Sequence, residues 1–214
     1  MNLSNKRRSE KIFGVMLGLM LGSLAVAVTP VRAQGSAAQT TPAVPLAEVV
    51  DLPHLDKVIK AAQGKVVLVN FWAAWNEPSA AQYPAFVFLY DRYHARGLEV
   101  ISVATDPIAE REARVIPFIQ NSNTKFPTYL KADGDPVAFV HGVDALWTGT
   151  LPRTYLIGRD GKVRQMYATR INAVKFEATI QRLLKEEAPK PKLDKNGRVV
   201  ETPPVRNPRG ILGG

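Results

Sequence analysis

The sequence predicts an α/β fold in which helices cover both faces of a mixed central sheet. Two nearly continuous apolar runs, at residues 66–72 and 98–104, are typical of strands that are buried on both faces. A helical pattern over residues 79–95 connects them, which favours a crossover within one sheet. An antiparallel hairpin over residues 153–167 then makes the sheet mixed.

The first two helices follow from apolar spacing and from glycines that end helices. Residues 55–62 carry apolar side chains at helical spacing, and Gly64 follows as a stop signal. Residues 79–95 place an aromatic face at helical spacing, which we expect to point into the core, and Gly97 fits a C-terminal cap. The members of that face are Tyr83, Phe86, Tyr90 and Tyr93.

The elements after the second strand are shorter. We expect a helix over residues 106–121 that Pro117 bends, because proline interrupts helical hydrogen bonding. Residues 126–130 are predicted to be extended. The hairpin strands lie at residues 153–157 and 162–167, and a Gly-Arg-Asp-Gly turn joins them.

The C-terminal part of the chain changes character after one more helix. Residues 173–187 have an apolar face at helical spacing, and Asn172 is a preferred N-cap residue. Residues 188–214 interleave prolines with basic residues, a composition that is poor at building a core. We therefore expect residues 188–214 to form a disordered, basic, Pro-rich tail.

The N-terminus has the pattern of a secretory signal. Basic residues precede an uncharged apolar run over residues 12–28, and a small-x-small motif ends at Ala33. We predict a signal peptide over residues 1–33, cleaved after Ala33, followed by a flexible leader at residues 34–45. The alternative is an uncleaved membrane anchor formed by residues 12–28. Either outcome predicts a periplasmic or secreted protein.

Composition excludes several classes of function. The 214 residues include no cysteine, which excludes disulfides, thiol nucleophiles, iron–sulfur clusters and Cys-ligated zinc. The three histidines are too few for a His-rich metal cage, so we expect no metal and no cofactor; they are His54, His94 and His141. The net charge of +9 is carried mostly by residues 1–33 and 188–214, at +4 each. We therefore expect no nucleic-acid partner.

Four segments resemble the thioredoxin-fold proteins. The first, Val67 to Pro84, reads VLVNFWAAWNEPSAAQYP; the others lie at residues 103–106, 126–127 and 147–157. Their order and spacing are similar to those of the exported TlpA-like group of thiol–disulfide oxidoreductases. The resemblance covers about residues 46–187 and implies one thioredoxin-like domain there.

The resemblance also implies where the site lies. The family carries a Trp-Cys-x-x-Cys motif at the start of a helix, and its two cysteines correspond to Asn76 and Ser79. It implies a cis bond between Leu151 and Pro152. It further implies a groove that binds an exported protein or peptide, formed by Trp75, Asn76, Glu77, Pro78, Leu151 and Pro152.

The two replacements remove the chemistry of the family. Disulfide exchange needs a thiolate that attacks and a second thiol that resolves the mixed disulfide. An Asn amide is not such a nucleophile, and a Ser hydroxyl forms no disulfide. Because the chain has no other cysteine, we expect no disulfide exchange by this chain alone and no catalytic residue.

Three interpretations of the site remain open. Asn76, Glu77 and Pro78 all suit the start of a helix, so the site could be purely structural. The peptide groove could instead be retained without redox chemistry. A hydrolase based on Ser79 would need a nearby histidine, but His94 lies about 22 Å along the same predicted helix.

We carry three hypotheses for function. The first is a binding or accessory module for an exported protein. The second is a redox role exerted only together with a cysteine-bearing partner. The third is a structural, envelope-associated protein. Membrane contact is expected only through an uncleaved N-terminal segment, or weakly through the basic tail.

Overall fold

The computed structural model describes residues 46–188, 190, 192–200 and 210–212. Eight strands fall within these residues: β1 (Leu46–Val50), β2 (Val66–Trp72), β3 (Leu98–Ala104), β4 (Thr128–Lys131), β5 (Arg153–Ile157), β6 (Val163–Tyr167), β7 (Lys192–Leu193) and β8 (Val199–Val200). Five α-helices accompany them: α1 (Leu52–Ala61), α2 (Glu77–Tyr93), α3 (Ile116–Asn121), α4 (Pro136–Val143) and α5 (Ala173–Leu184).

Six of the strands form one mixed sheet in the order β1-β4-β3-β2-β5-β6. The first four run parallel to one another, while β5 and β6 are antiparallel to their neighbours. Strand β2 pairs along its whole length with β3, from Val66 opposite Leu98 to Trp72 opposite Ala104. This is the predicted thioredoxin-like α/β fold with a mixed central sheet, and the two apolar runs are its central strands.

Strand β2 is buried on both faces because each face carries its own layer of helices. Leu68 and Trp72 belong to a core cluster with side chains of α2, α3 and α5. Val67, Val69 and Phe71 alternate to the opposite face, where they join a second cluster with side chains of α1 and α4. The alternation explains why the run is apolar at nearly every position.

The aromatic face of α2 is packed as predicted. Tyr83, Phe86 and Tyr93 have no exposed surface, and Tyr90 packs against the same cluster while partly exposed. Burying one large apolar side chain contributes roughly 1.5–3 kcal/mol. Gly97 ends the short 3-10 turn that follows α2 with a φ of 97°, a conformation that glycine adopts without steric cost.

The segment predicted as a helix over residues 106–121 is helical from Ile108 to Asn121, but it is not a single α-helix. The segment is a 3-10 turn at Ile108–Glu110, a π-helical turn at Arg111–Val115 and then α3. Pro117 lies in the first turn of α3, directly after the π-helical turn. The change of helix type therefore precedes the proline.

Strand β1 and helix α4 were not predicted from the sequence. Strand β1 pairs with β4 at the sheet edge, a contact between segments about 80 residues apart. Helix α4 begins after Asp135, whose side chain accepts the backbone N–H of Val137 at 2.8 Å, and Pro136 occupies its first turn. That capping signal was present in the sequence, but the apolar stretch behind it is short.

The structure departs from the predicted disordered tail at two places within residues 188–214. Strands β7 and β8 pair as a small antiparallel hairpin. Ile211 is only 5% exposed and belongs to the core cluster on the α1 and α4 face. The composition of the tail gives no sign of this contact, because the apolar partners of Ile211 come from distant parts of the chain.

The predicted signal peptide, its alternative as an anchor and the flexible leader, residues 1–45, lie outside the described residues. Within the described part of the chain, no helix has the length and apolar character needed to cross a membrane.

Candidate functional site

The positions that correspond to the family cysteines lie at one end of the sheet. Strand β2 ends at Trp72, next to the end of its parallel neighbour β3. Strand β5 is antiparallel to β2, with Arg153 opposite Phe71, so β5 begins where β2 ends. The register therefore brings the loop after β2, which carries Trp75, to the same sheet end as Pro152.

Asn76 and Ser79 form the start of α2. Asn76 is the N-cap residue, and its Oδ1 accepts the backbone N–H of Ser79 at 2.9 Å. The same oxygen accepts the hydroxyl of Ser79 at 2.7 Å. Glu77 and Pro78 occupy the first turn, where a negative charge and a missing N–H both suit a helix N-terminus. The predicted cap is thus formed, with Ser79 buried behind it.

The residues at the start of α2 are more exposed to solvent than Leu151 and Pro152 are. Trp75 is 60% exposed, and Glu77 and Pro78 are exposed beside it. Across the site, Leu151 is half-buried and Pro152 is buried. The Leu151–Pro152 peptide bond is cis, as the resemblance implies. Of the six predicted groove residues, Trp75, Glu77 and Pro78 are therefore exposed at the start of α2. Leu151 and Pro152 are less exposed and precede β5.

Asp106 fixes the loop before Trp75 through hydrogen bonds to the backbone of Ala74. Its carboxylate oxygens accept the backbone N–H of Ala74 at 3.1 and 3.0 Å, and Asp106 has no exposed surface. Burial raises the pKa of Asp106 above its ordinary value, although the backbone hydrogen bonds oppose this. The sequence placed this residue at a helix start and gave no sign of its contact with the loop.

A buried polar group lies in the sheet beneath the site. Asn70 Oδ1 accepts the hydroxyl of Thr154 at 3.1 Å and the side-chain amide of Gln82 at 3.4 Å. Gln82 Oε1 in turn accepts the backbone N–H of Ile171 at 3.2 Å. Among the described residues, Asn70 Nδ2 and the Trp72 indole N–H have no hydrogen-bond partner. The network links β2, β5 and α2 without an ionisable side chain.

A buried ion pair fixes the loop that carries Leu151 and Pro152. Arg153 Nη2 donates to Asp144 Oδ2 at 2.5 Å, and the Tyr155 hydroxyl donates to the same oxygen at 2.8 Å. Both charged side chains are about 5% exposed. Burial by itself raises the pKa of Asp144, but hydrogen bonds from the Leu146 N–H, Arg153 and Tyr155 outweigh it, so the pKa is lowered.

Trp147 lies within that loop as a packing residue. It is 1% exposed and its ring centroid is 4.9 Å from that of Phe71. Its indole N–H donates to the carbonyl of Thr150 at 2.9 Å. The loop is therefore closed on itself just before the cis bond.

The structure gives Ser79 no hydrolase geometry. His94 follows the far end of α2, where its Nδ1 lies 3.2 Å from the carbonyl of Leu98. His54 lies in α1, with its Nε2 3.9 Å from a Glu48 carboxylate oxygen, and His141 lies in α4. None of the three histidines contacts Ser79, whose hydroxyl donates to Asn76.

The AhpC/TSA family model matches residues 45–166, more than half of the chain. The thiol–disulfide oxidoreductase ResA of Bacillus thuringiensis is 33% identical over 115 residues, which cover 54% of this chain and 61% of that protein. ResA of Bacillus cereus is 30% identical over 135 residues, covering 63% of this chain and 73% of that protein. The chain thus spans about three fifths of the first of these relatives.

Solved structures agree on the fold. A secreted thiol–disulfide isomerase from Corynebacterium glutamicum superposes with a TM-score of 0.52 at 14% identity, covering 60% of this chain and 75% of that chain. The thioredoxin domain of a thiol–disulfide oxidoreductase from Bacteroides vulgatus gives 0.50 at 21% identity, covering 59% and 84%. This chain therefore belongs to the AhpC/TSA family as a thioredoxin-fold relative of thiol–disulfide oxidoreductases, and it contains no cysteine.

Proposed function

We propose that this chain is an exported binding or accessory module that holds an extended segment of another exported protein and does not itself exchange disulfides. The groove consists of Trp75, Asn76, Glu77, Pro78, Leu151 and Pro152. The observation that carries the proposal is the combination of an intact family fold around this surface with a chain that contains no thiol.

The chemistry of the site supports binding over turnover. Asn76 Oδ1 is occupied by two hydrogen bonds from Ser79, and neither residue has a base beside it. Without a sulfur atom outside methionine, the chain forms neither the mixed disulfide nor the final disulfide that exchange requires. A redox role therefore requires a partner that supplies both thiols.

On the proline side of the groove, the backbone groups of Leu151 are available for hydrogen bonds to a peptide. In the part of the chain that the structure describes, the backbone of Leu151 makes no hydrogen bond to another residue. An extended peptide pairs with such free N–H and C=O groups as an added strand does, and its side chains then choose among neighbouring surfaces. The exposed ring of Trp75 supplies an apolar surface for one of them.

Two observations support export. The N-terminal sequence has basic, apolar and small-x-small regions in the order of a secretory signal. The structural relative from Corynebacterium glutamicum is described as secreted. Sequencing the N-terminus of the mature protein tests cleavage: Gln34 as the first residue supports a cleaved signal, and Met1 contradicts it.

Site-specific photo-crosslinking in intact cells tests the groove. A photoreactive residue replaces Trp75 in one variant and Val174 in the control, since Val174 is 79% exposed on α5. We expect a crosslinked exported protein from position 75 and not from position 174. Equal capture at both positions contradicts a groove-specific partner.

The captured protein is then purified and its affinity measured by calorimetry. We expect Trp75→Ala to weaken binding by about tenfold or more and Val174→Ala to leave it unchanged, because a central exposed aromatic side chain dominates small interfaces. An insulin-reduction assay completes the test. The pure chain is expected to add nothing to the rate with dithiothreitol alone, and turnover by it contradicts the proposal.

A further inference from the structure

The C-terminal residues 210–212 return to the domain on the face opposite to α2. The backbone N–H of Ile211 donates to the carbonyl of Val143 at 2.5 Å, and the N–H of Leu212 points to the same carbonyl at 3.4 Å. Ile211 is 5% exposed and belongs to the core cluster of that face. An aliphatic residue near a chain end, in a Pro-rich basic segment, is thus as buried as a core residue.

The contact requires glycine at the position before Ile211. Gly210 has a φ of 104°, which side chains with a Cβ rarely adopt. A Cβ added there would lie 2.5 Å from Asp144 Cα and 2.8 Å from the Val143 carbonyl oxygen, both of them backbone atoms. Ile211 also has a positive φ, of 58°, which is uncommon for a β-branched residue and is held only by surrounding contacts.

The surface that receives these residues extends from the end of α4, where Gly210 contacts Val143 and Asp144, to a cleft between α1 and the β5–β6 hairpin. Ile211 and Leu212 line a cavity of about 40 Å³ together with Ile59 of α1, Val67 of β2 and Ile157 of β5. The apolar side chains of the sheet are therefore covered here by the chain terminus as well as by a helix.

We propose that this cleft is a peptide-docking site for a Gly–aliphatic–aliphatic segment, and that its occupant is the chain's own Gly210-Ile211-Leu212, bound within one molecule. The glycine is selected by the close approach to Val143 and Asp144, and the first aliphatic side chain by the apolar cluster. The proposal is independent of the groove at Trp75, which lies at the end of the sheet.

Because the natural chain has no cysteine, single cysteines report on this docking in the full-length protein. The Ile211→Cys variant places a small apolar thiol in the cleft, and Lys195→Cys places one on the exposed turn of the β7–β8 hairpin. We expect iodoacetamide to modify the first about tenfold more slowly than the second. The two rates should become equal in denaturant. Equal rates in the native protein overturn the proposal.

A second substitution tests the glycine requirement. Adding Gly210→Ala to Ile211→Cys should raise the alkylation rate to that of Lys195→Cys, because the new methyl group excludes the docked conformation. The matched control adds Gly134→Ala, which also has a positive φ but has open space around its Cβ. Protection that survives Gly210→Ala overturns the proposed selection of glycine.

The concentration dependence decides between one molecule and two. Alkylation of Ile211→Cys is repeated over a hundredfold range of protein concentration, with the mass measured by light scattering. Slow alkylation of a monomer at every concentration supports docking within one chain. Protection that appears only with a dimer shows a second copy as the occupant and overturns the proposal as stated. The thermal unfolding of each variant confirms that the domain is folded.

Discussion

Asn76 and Ser79 are joined by two hydrogen bonds that end on one atom, Asn76 Oδ1, at 2.9 Å from the backbone nitrogen and 2.7 Å from the hydroxyl of Ser79. By the resemblance of the surrounding motif, these are the two positions that correspond to the reactive thiols of the family. The pair keeps the geometry of a capped helix start and removes every group that could exchange electrons with a disulfide. The thioredoxin-like fold and the redox chemistry of the family are thereby separable.

Asn76→Ala should lower the free energy of unfolding by about 1 kcal/mol, because the N–H of Ser79 loses its cap. Asn76→Asp should stay close to the natural chain, since it keeps the acceptor and adds a charge that the helix dipole favours. Urea unfolding followed by circular dichroism measures both. An Asn76→Ala chain as stable as the natural one would show that the cap contributes nothing.

The double substitution Asn76→Cys with Ser79→Cys should restore redox activity. Thiols at a helix N-terminus have a lowered pKa, and the rest of the fold around them is that of the family. We expect the oxidised double variant to contain no free thiol and to accelerate insulin reduction by dithiothreitol. Each single variant serves as the control, because one thiol cannot resolve the mixed disulfide. A folded but inactive double variant would mean that more than the thiols has been lost.

The central part of this fold was predictable because local signals and buried strands agree there. The strands at residues 66–72 and 98–104 have the predicted bounds, since a strand buried on both faces must be apolar throughout. The caps at Asn76 and Asn172 were also predictable, because a cap acts over three residues. Strand β1 was not, because its partner is remote in sequence and its apolar pattern is short.

The contacts that hold the candidate site in place could not be predicted from the sequence either, because they join residues that are remote along the chain. Asp106 contacts Ala74, 32 residues away, and Asn70 contacts Thr154, 84 residues away. Neither pair has a spacing that marks it as a pair. The docking of Ile211 is a further case, since only the folded domain supplies an apolar cleft with space for a glycine-led turn.

Asp144→Asn should lower the free energy of unfolding by about 3–5 kcal/mol near neutral pH, because it leaves the buried Arg153 guanidinium without its counterion. Asp91→Asn is the matched control: it breaks the exposed Lys125–Asp91 pair and should change stability by less than about 1 kcal/mol. Equal effects of the two substitutions in chemical denaturation would contradict the importance of burial.

The same ion pair has a predicted pH dependence. The folded pKa of Asp144 is lowered, so its stabilising contribution is present above the unfolded pKa, about 4, and is lost as the pH falls through the lower folded value. The difference in stability between the natural chain and Asp144→Asn should therefore shrink on acidification. A difference that grows towards low pH would contradict a lowered pKa of Asp144 in the folded protein.

Asp106 should show the opposite pH dependence. Its folded pKa is raised by burial, so the folded state binds the proton more tightly than the unfolded state does. Its contribution to stability is fully present below the unfolded pKa, about 4, and is lost as the pH rises through the folded value. The natural chain should therefore gain stability relative to Asp106→Asn as the pH is lowered from 7 towards 4, and urea unfolding at several pH values measures this difference.

The control for this experiment is Asp133→Asn at an exposed turn, because it removes one negative charge without a buried contact. A general effect of net charge would change both variants alike, whereas burial changes only Asp106→Asn. The Asn side chain still accepts the N–H of Ala74, so the loop before Trp75 should keep its position. A stability difference for Asp106→Asn that is flat with pH would mean that burial of the carboxyl group does not perturb its protonation.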